Sequence, residues 1–107
     1  MKVIDFFKDL CIKVLKSEIT VKKFDKDYTA AYFDDGFMQL QPISREEFDI
    51  LEELRGYLEF YEPNKRKRQA YTVLIDEKKV LLRVKIALNK IKKLEHQLKN
   101  EENQAAV

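Results

Sequence analysis

The stretch TVKKFDKDYTAAYFDDGFMQLQ, residues 20–41, decides how the chain is read. Thr20 to Phe24 and Tyr28 to Phe33 are rich in β-branched and aromatic residues, the composition of a pleated, half-buried surface, and each run is followed by an Asp-containing turn signal. After the second run comes Asp35-Gly36. An Asp-Gly pair between apolar runs predicts a two-residue hairpin, because a type I′ turn needs positive φ at both central positions. Tyr28 to Phe33 is therefore expected to pair with Phe37 to Gln41, where Met38 and Leu40 alternate with Gln39 and Gln41 as in a sheet buried on one face.

Helices are predicted on both sides of this segment. Residues 3–16 place Val3, Phe7, Leu10, Cys11 and Val14 at helical spacing, with Ile4, Phe6 and Leu15 widening the stripe. Beyond Pro42, Ser44-Arg-Glu-Glu47 has the form of a capping box, in which a hydroxyl and a carboxylate satisfy the free amides of a helix start. Ile50, Leu54, Tyr57 and Tyr61, with Leu51 and Leu58, form the apolar face of that helix, and Glu62-Pro63-Asn64 stops it. Gly56 lies inside it, at a cost of roughly 1 kcal/mol against Ala.

From Lys65 to Val107 there is neither Gly nor Pro, and Val80, Val84, Ala87, Ile91, Leu94 and Leu98 recur as a heptad seam, broadened by Leu81 and Leu88. Tyr71 to Ile75 is read as the start of this helix, with a strand ending at Asp76 as the alternative. The expected architecture is α+β: an N-terminal helix, a small antiparallel β-hairpin or meander, then two helices, the last long and amphipathic. It forms a single domain over residues 1–99 with a projecting C-terminal helix, followed by a frayed polar tail over 100–107.

Charge is distributed unevenly beneath a net +2. Residues 1–43 are balanced, residues 44–63 carry two cations against seven acids, and residues 64–107 carry twelve against five. Either the acidic and basic segments face each other or the basic one faces a partner. Cys11 is the only cysteine, which excludes an intramolecular disulfide and points to a reducing, cytoplasmic setting. No signal peptide and no membrane-spanning run is read from the sequence.

No cofactor, metal site, small-molecule substrate or catalytic residue is expected. With Gly36 and Gly56 the only glycines, no glycine-rich phosphate motif can be built. His96, the lone histidine, is read as a solvated side chain. Asp34 and Asp35 are read as turn residues rather than cation ligands, and a nuclease built from them with Glu77 and Lys79 lacks supporting spacing.

Two surfaces remain. The favoured one is the seam Val80, Val84, Ala87, Ile91, Leu94 and Leu98, read as a protein interface that gives a homodimer or captures a partner protein. A helix from Lys78 to Lys99 would be about 33 Å long, longer than the first two helices, so part of its stripe would project. Lys85, Lys92 and Lys99, each seven residues apart, favour antiparallel pairing or an acidic partner. The lysine, glutamate and isoleucine bias would suit a small bacterial or phage-encoded regulator or inhibitor. The alternative surface is Lys65, Arg66, Lys67 and Arg68, four cations in succession near Tyr57, Tyr61 and Tyr71. Pairing with the acidic helix is the preferred reading of that cluster. Nucleic-acid contact, with Lys78, Lys79 and Arg83 contributing, is the second. Binding flat on a membrane ranks low, since no aromatic residue follows Tyr71.

Overall fold

The computed structural model describes residues 2–105, with side chains as far as Asn100. Among the described residues six helices follow in order: α1 (Val3–Leu15), α2 (Val21–Tyr32), α3 (Asp35–Met38), α4 (Arg45–Leu58), α5 (Lys65–Ala70) and α6 (Glu77–Ala105). The fold is all-α, so the expected α+β architecture with its hairpin is overturned. None of these helices is long and apolar enough to cross a membrane.

The correction is concentrated in residues 20–41. Thr20 does not begin a strand; its hydroxyl accepts the Lys23 amide at 3.1 Å and caps α2. Val21, Phe24 and Tyr28 then fall on one buried face at helical spacing, while Lys23 pairs with Asp27 at 3.0 Å on the other. The β-branched and aromatic residues reflect burial, not a strand. Asp35-Gly36 is not a turn either: the Asp34 carboxylate accepts the Phe37 amide at 3.0 Å and caps α3. Neither glycine has positive φ, which rules out the type I′ geometry. The segment Phe37 to Gln41 therefore runs from a helical turn into a loop instead of a second strand.

The other elements follow the periodicity. The Ser44 hydroxyl accepts the Glu47 amide at 3.1 Å and the Glu47 carboxylate accepts the Ser44 amide at 2.8 Å, completing the capping box of α4. Gly56 lies in α4 with no atom within 4 Å of where a Cβ would stand, so it serves no close helix crossing. α1 ends in a Schellman turn, with Glu18 N–H on the Lys13 carbonyl at 2.9 Å and Ser17 N–H on the Val14 carbonyl at 3.1 Å. Ser17 takes the left-handed position, φ 59°, that glycine usually fills.

Tyr71 to Ile75 is neither helix nor strand. A turn joins Tyr71 to Leu74, and Ile75 makes a single parallel bridge to Tyr61: Ile75 N–H reaches the Phe60 carbonyl at 2.7 Å, and Glu62 N–H reaches the Ile75 carbonyl at 3.0 Å. Asp76 then caps α6 by accepting the Lys79 amide at 3.0 Å. At the far end α6 continues to Ala105, where a frayed tail over 100–107 is expected from sequence; residues 106 and 107 lie outside the described residues.

α1, α2, α4 and α6 form a ring, each packed on the next and α6 closing on α1. Their apolar faces meet in one core: Phe7, Leu10 and Cys11 from α1, Phe24 and Tyr28 from α2, Leu51, Leu54 and Leu58 from α4, and Val80, Val84, Ala87, Leu88 and Ile91 from α6. The Tyr28 ring packs edge-on against Phe7 at 4.9 Å, and its hydroxyl donates to the Leu51 carbonyl at 2.8 Å, so the one polar atom of this core tyrosine is satisfied.

Candidate nucleic-acid interface

Of the six seam residues expected to form a protein interface, Val80, Val84, Ala87 and Ile91 are buried in the chain's own core. Leu94 is half-buried and Leu98 is 46% exposed. The length of α6 does not leave a long bare stripe. Val3 and Ile4 of α1 stand beside Leu98, and Glu46, Asp49 and Ile50 of α4 stand beside Leu94 and Gln97. Leu98 borders a recess of about 600 Å³ whose apolar walls are Val3, Ile4, Pro42 and Ile43.

The basic cluster is built by a short excursion of the chain. The Tyr61–Ile75 bridge closes a loop, and inside it the Asn64 side chain accepts the amides of Arg66 at 2.9 Å and Lys67 at 3.2 Å, which starts α5. The Arg68 guanidinium donates to the Glu62 carbonyl at 2.7 Å and ties the helix to its own stem. Lys65, Arg66 and Lys67 are left pointing into solvent. The same bridge brings this loop to the start of α6. There the Lys79 amide, reinforced by the charges of Arg68, Lys79 and Lys78, holds the Asp76 carboxyl below its ordinary range.

Pairing of the cluster with the acidic helix is limited to one residue, Glu62, which lies 3.6 Å from Lys67. Three acids of this region are engaged elsewhere: Asp49 and Glu53 of α4 with Arg45 at 3.3 Å and Lys90 at 3.2 Å, and Glu59 just beyond α4 with Arg55 at 3.9 Å. Lys65, Arg66, Arg68, Lys78, Lys79 and Arg83 have no carboxylate within 4.0 Å among the described residues. Glu77 accepts the Tyr61 hydroxyl at 3.3 Å, and burial followed by the Glu77 charge raises the Tyr61 pKa.

Apolar and aromatic side chains stand among these cations. Tyr71 is 65% exposed and Val73 62%, on the turn that follows α5. The Arg83 guanidinium stacks on the Tyr57 ring at 4.1 Å, and the pair walls a cleft of about 240 Å³ completed by Ile75, Lys79 and the exposed Leu82. Neither the cleft nor the exposed Leu82 is evident from the sequence, because Leu82 sits one position from the seam and Tyr57 counts as part of the apolar face of α4.

The remaining sequence candidates separate in space. Asp34 and Asp35 follow the end of α2, whereas Glu77 lies beside Thr20 and Val21 at its start, the length of a twelve-residue helix away. That is about 18 Å, so the four groups of the imagined nuclease are not brought together. Among the described residues no group of three or more His, Cys, Asp or Glu side chains is placed to hold a metal ion. His96 is exposed and its Nε2 lies 3.3 Å from the Asn100 amide nitrogen. No protein-family model, no curated protein and no solved structure matches the chain.

Proposed function

We propose that this chain is a small non-enzymatic nucleic-acid-binding protein whose contact surface is the end of the bundle carrying α5 and the start of α6. One observation carries the reading: Lys65 and Arg66 on α5, and Lys78, Lys79 and Arg83 at the start of α6, have no carboxylate within 4.0 Å among the described residues, while Asp49, Glu53 and Glu59 are paired with other cations. Cations outside ion pairs release condensed counterions when they meet a phosphate backbone, and this supplies affinity independent of sequence. A protein made to pair internally would place the acids of α4 against α5. A cytoplasmic setting fits this role, and the buried free thiol of Cys11 is compatible with it.

The test is the salt dependence of binding. Affinity for a labelled oligonucleotide should fall steeply between about 50 and 200 mM salt, and replacing Lys65, Arg66 and Lys67 together by Ser should flatten the logarithmic slope by about 2–3 units. These three side chains are solvent-exposed, so the variant should keep the far-UV spectrum of the parent. Undiminished binding by the triple variant, or no binding by the parent at low salt, refutes the reading.

A second reading, association with another copy or a partner protein, keeps one specific support. Leu98 is exposed beside the apolar recess of Val3, Ile4, Pro42 and Ile43. If it holds, light scattering during size exclusion should show a salt-resistant dimer that Leu98→Asp converts to monomer. A parent that is monomeric at all concentrations removes the self-association form.

A further inference from the structure

The exposed carbon at the basic end has no use against a double helix. A duplex presents phosphates and keeps its bases stacked inside, so lysines and arginines suffice to hold it. Here the cations are interleaved with Tyr71, Val73 and Leu82, all more than half exposed, and with a cleft between the Tyr57–Arg83 stack and the aliphatic side chains of Ile75 and Leu82. Lys79 stands at the cleft, and Arg68, Lys78 and Lys79 surround Asp76 next to it. A flat π-surface with a cation at its edge matches a nucleobase and its phosphate, provided the base is free of its stack.

We propose that the basic end takes single-stranded nucleic acid in preference to duplex, with Tyr71 as an open stacking platform and the Tyr57–Arg83 cleft as a seat for one unstacked base. This rests on the nucleic-acid reading above and deepens it by naming the form of the ligand. Tyr71 suits the role because nothing in the fold consumes its ring. It leaves α5 with an extended backbone, φ −132° and ψ 108°, and it is the most exposed aromatic residue of the described chain. Arg83 lies over one face of Tyr57, and it is half-buried at the cleft, where a planar guanidinium can stack on a base.

The experiment compares, by fluorescence anisotropy, a labelled mixed-sequence single strand of about 16 nucleotides with the duplex of the same length, for the parent, Tyr71→Ser and the Lys65/Arg66/Lys67→Ser triple variant. The expected result is tighter binding of the single strand by about tenfold or more, and a loss of about 5- to 150-fold for Tyr71→Ser on the single strand with duplex binding unchanged. Equal affinity for the two forms, or a Tyr71→Ser variant that binds the single strand as the parent does, overturns this inference and leaves the nucleic-acid reading standing. Failure of the parent to bind either form at low salt overturns both. A second variant, Arg83→Gln, should weaken single-strand binding while the chain stays folded; if it weakens duplex binding equally, Arg83 is a phosphate contact and the base seat is excluded.

Discussion

Gly36→Ala separates the two folds by the sign of its effect. In the helical structure Gly36 has ordinary negative φ inside α3, so an alanine there gains the difference in chain entropy, about 0.5–1 kcal/mol. Its Cβ would stand 3.4 Å from Asp34 Oδ1, the atom that accepts the Phe37 amide at 3.0 Å. That contact is tolerable but crowds the cap, which puts the expected gain at the low end, about 0.5 kcal/mol, or a rise in Tm of about 2 °C. In a hairpin with Asp35-Gly36 at a type I′ turn, the same alanine is forced to positive φ and costs about 1–2 kcal/mol, a fall of about 4–8 °C. Urea and thermal unfolding followed by far-UV circular dichroism read both quantities. Gly56→Ala is the internal control: it sits in the last turn of α4 with open space at its Cβ and should stabilise by about 0.5–1 kcal/mol. A loss of more than about 1 kcal/mol at Gly36, with Gly56→Ala behaving as expected, would refute the helical assignment of residues 35–38.

Three further substitutions probe other features. Ser17 holds the left-handed position of the α1 Schellman turn, so Ser17→Gly should stabilise by about 1 kcal/mol in urea unfolding; an unchanged midpoint would mean that this φ carries no strain. The Arg55 side chain is only 15% exposed, its Nε and Nη1 have no hydrogen-bond partner, and its compensation is the Phe33 ring at 5.1 Å and Glu59 at 3.9 Å. Two unsatisfied donors outweigh a cation–π contact of about 0.5–1 kcal/mol, so Arg55→Met should be neutral to stabilising by about 1 kcal/mol; a clear loss would show that the guanidinium has a partner in solution. Burial pushes the Cys11 thiol up to about 12, against 9.0 ordinarily. The unfolded thiol ionises first, so its contribution to stability is complete below about pH 9 and is lost as pH rises towards 12, at up to about 1.4 kcal/mol per pH unit. Cys11→Ala should therefore be less stable than the parent near neutral pH and close the gap at about pH 10, and a constant gap across that range would contradict the burial of the thiol.

α1 and the core of α6 lie where their stripes predict, and the Ser44–Glu47 box marks the start of α4 at the residue where its two reciprocal bonds form. α4 ends at Leu58, short of Tyr61, which the stripe includes but the bridge to Ile75 takes up. The error in residues 20–41 came from weighing composition above period. Thr20, Val21, Phe24, Tyr28, Thr29, Tyr32 and Phe33 are strand formers by type, yet the buried members fall at positions 21, 24 and 28, a spacing that no strand can place on one face. β-propensity measures fit to a half-buried surface, and a helix in a bundle offers such a surface too. Asp-Gly misled for a related reason. Asp at a turn and Asp at a helix N-cap use the same carboxylate-to-amide bond, and the glycine that follows is compatible with either. The basic cluster was legible as a cluster, but its freedom from the acidic helix was not. It depends on the Tyr61–Ile75 bridge, a long-range pairing, and on Arg68 turning to the Glu62 carbonyl six residues back, neither of which has a sequence signature.

The basic end is also separable from the fold. Residues 62–74 contribute no buried side chain to the core; the loop is held by the two backbone bonds of the bridge, the Asn64 cap and the Arg68–Glu62 bond. Charge changes at Lys65, Arg66 and Lys67 therefore act on ligand affinity without passing through core packing, whereas changes at Val80, Val84 or Ile91 open cavities costing about 2–5 kcal/mol for truncation of a large aliphatic side chain and confound any loss of binding with unfolding. Asp49 and Glu53 of α4, and Glu59 just beyond it, are engaged by Arg45, Lys90 and Arg55. The segregation along the chain that gives residues 44–63 a net −5 and residues 64–107 a net +7 thus leaves cations without ion pairs at α5 and at the start of α6.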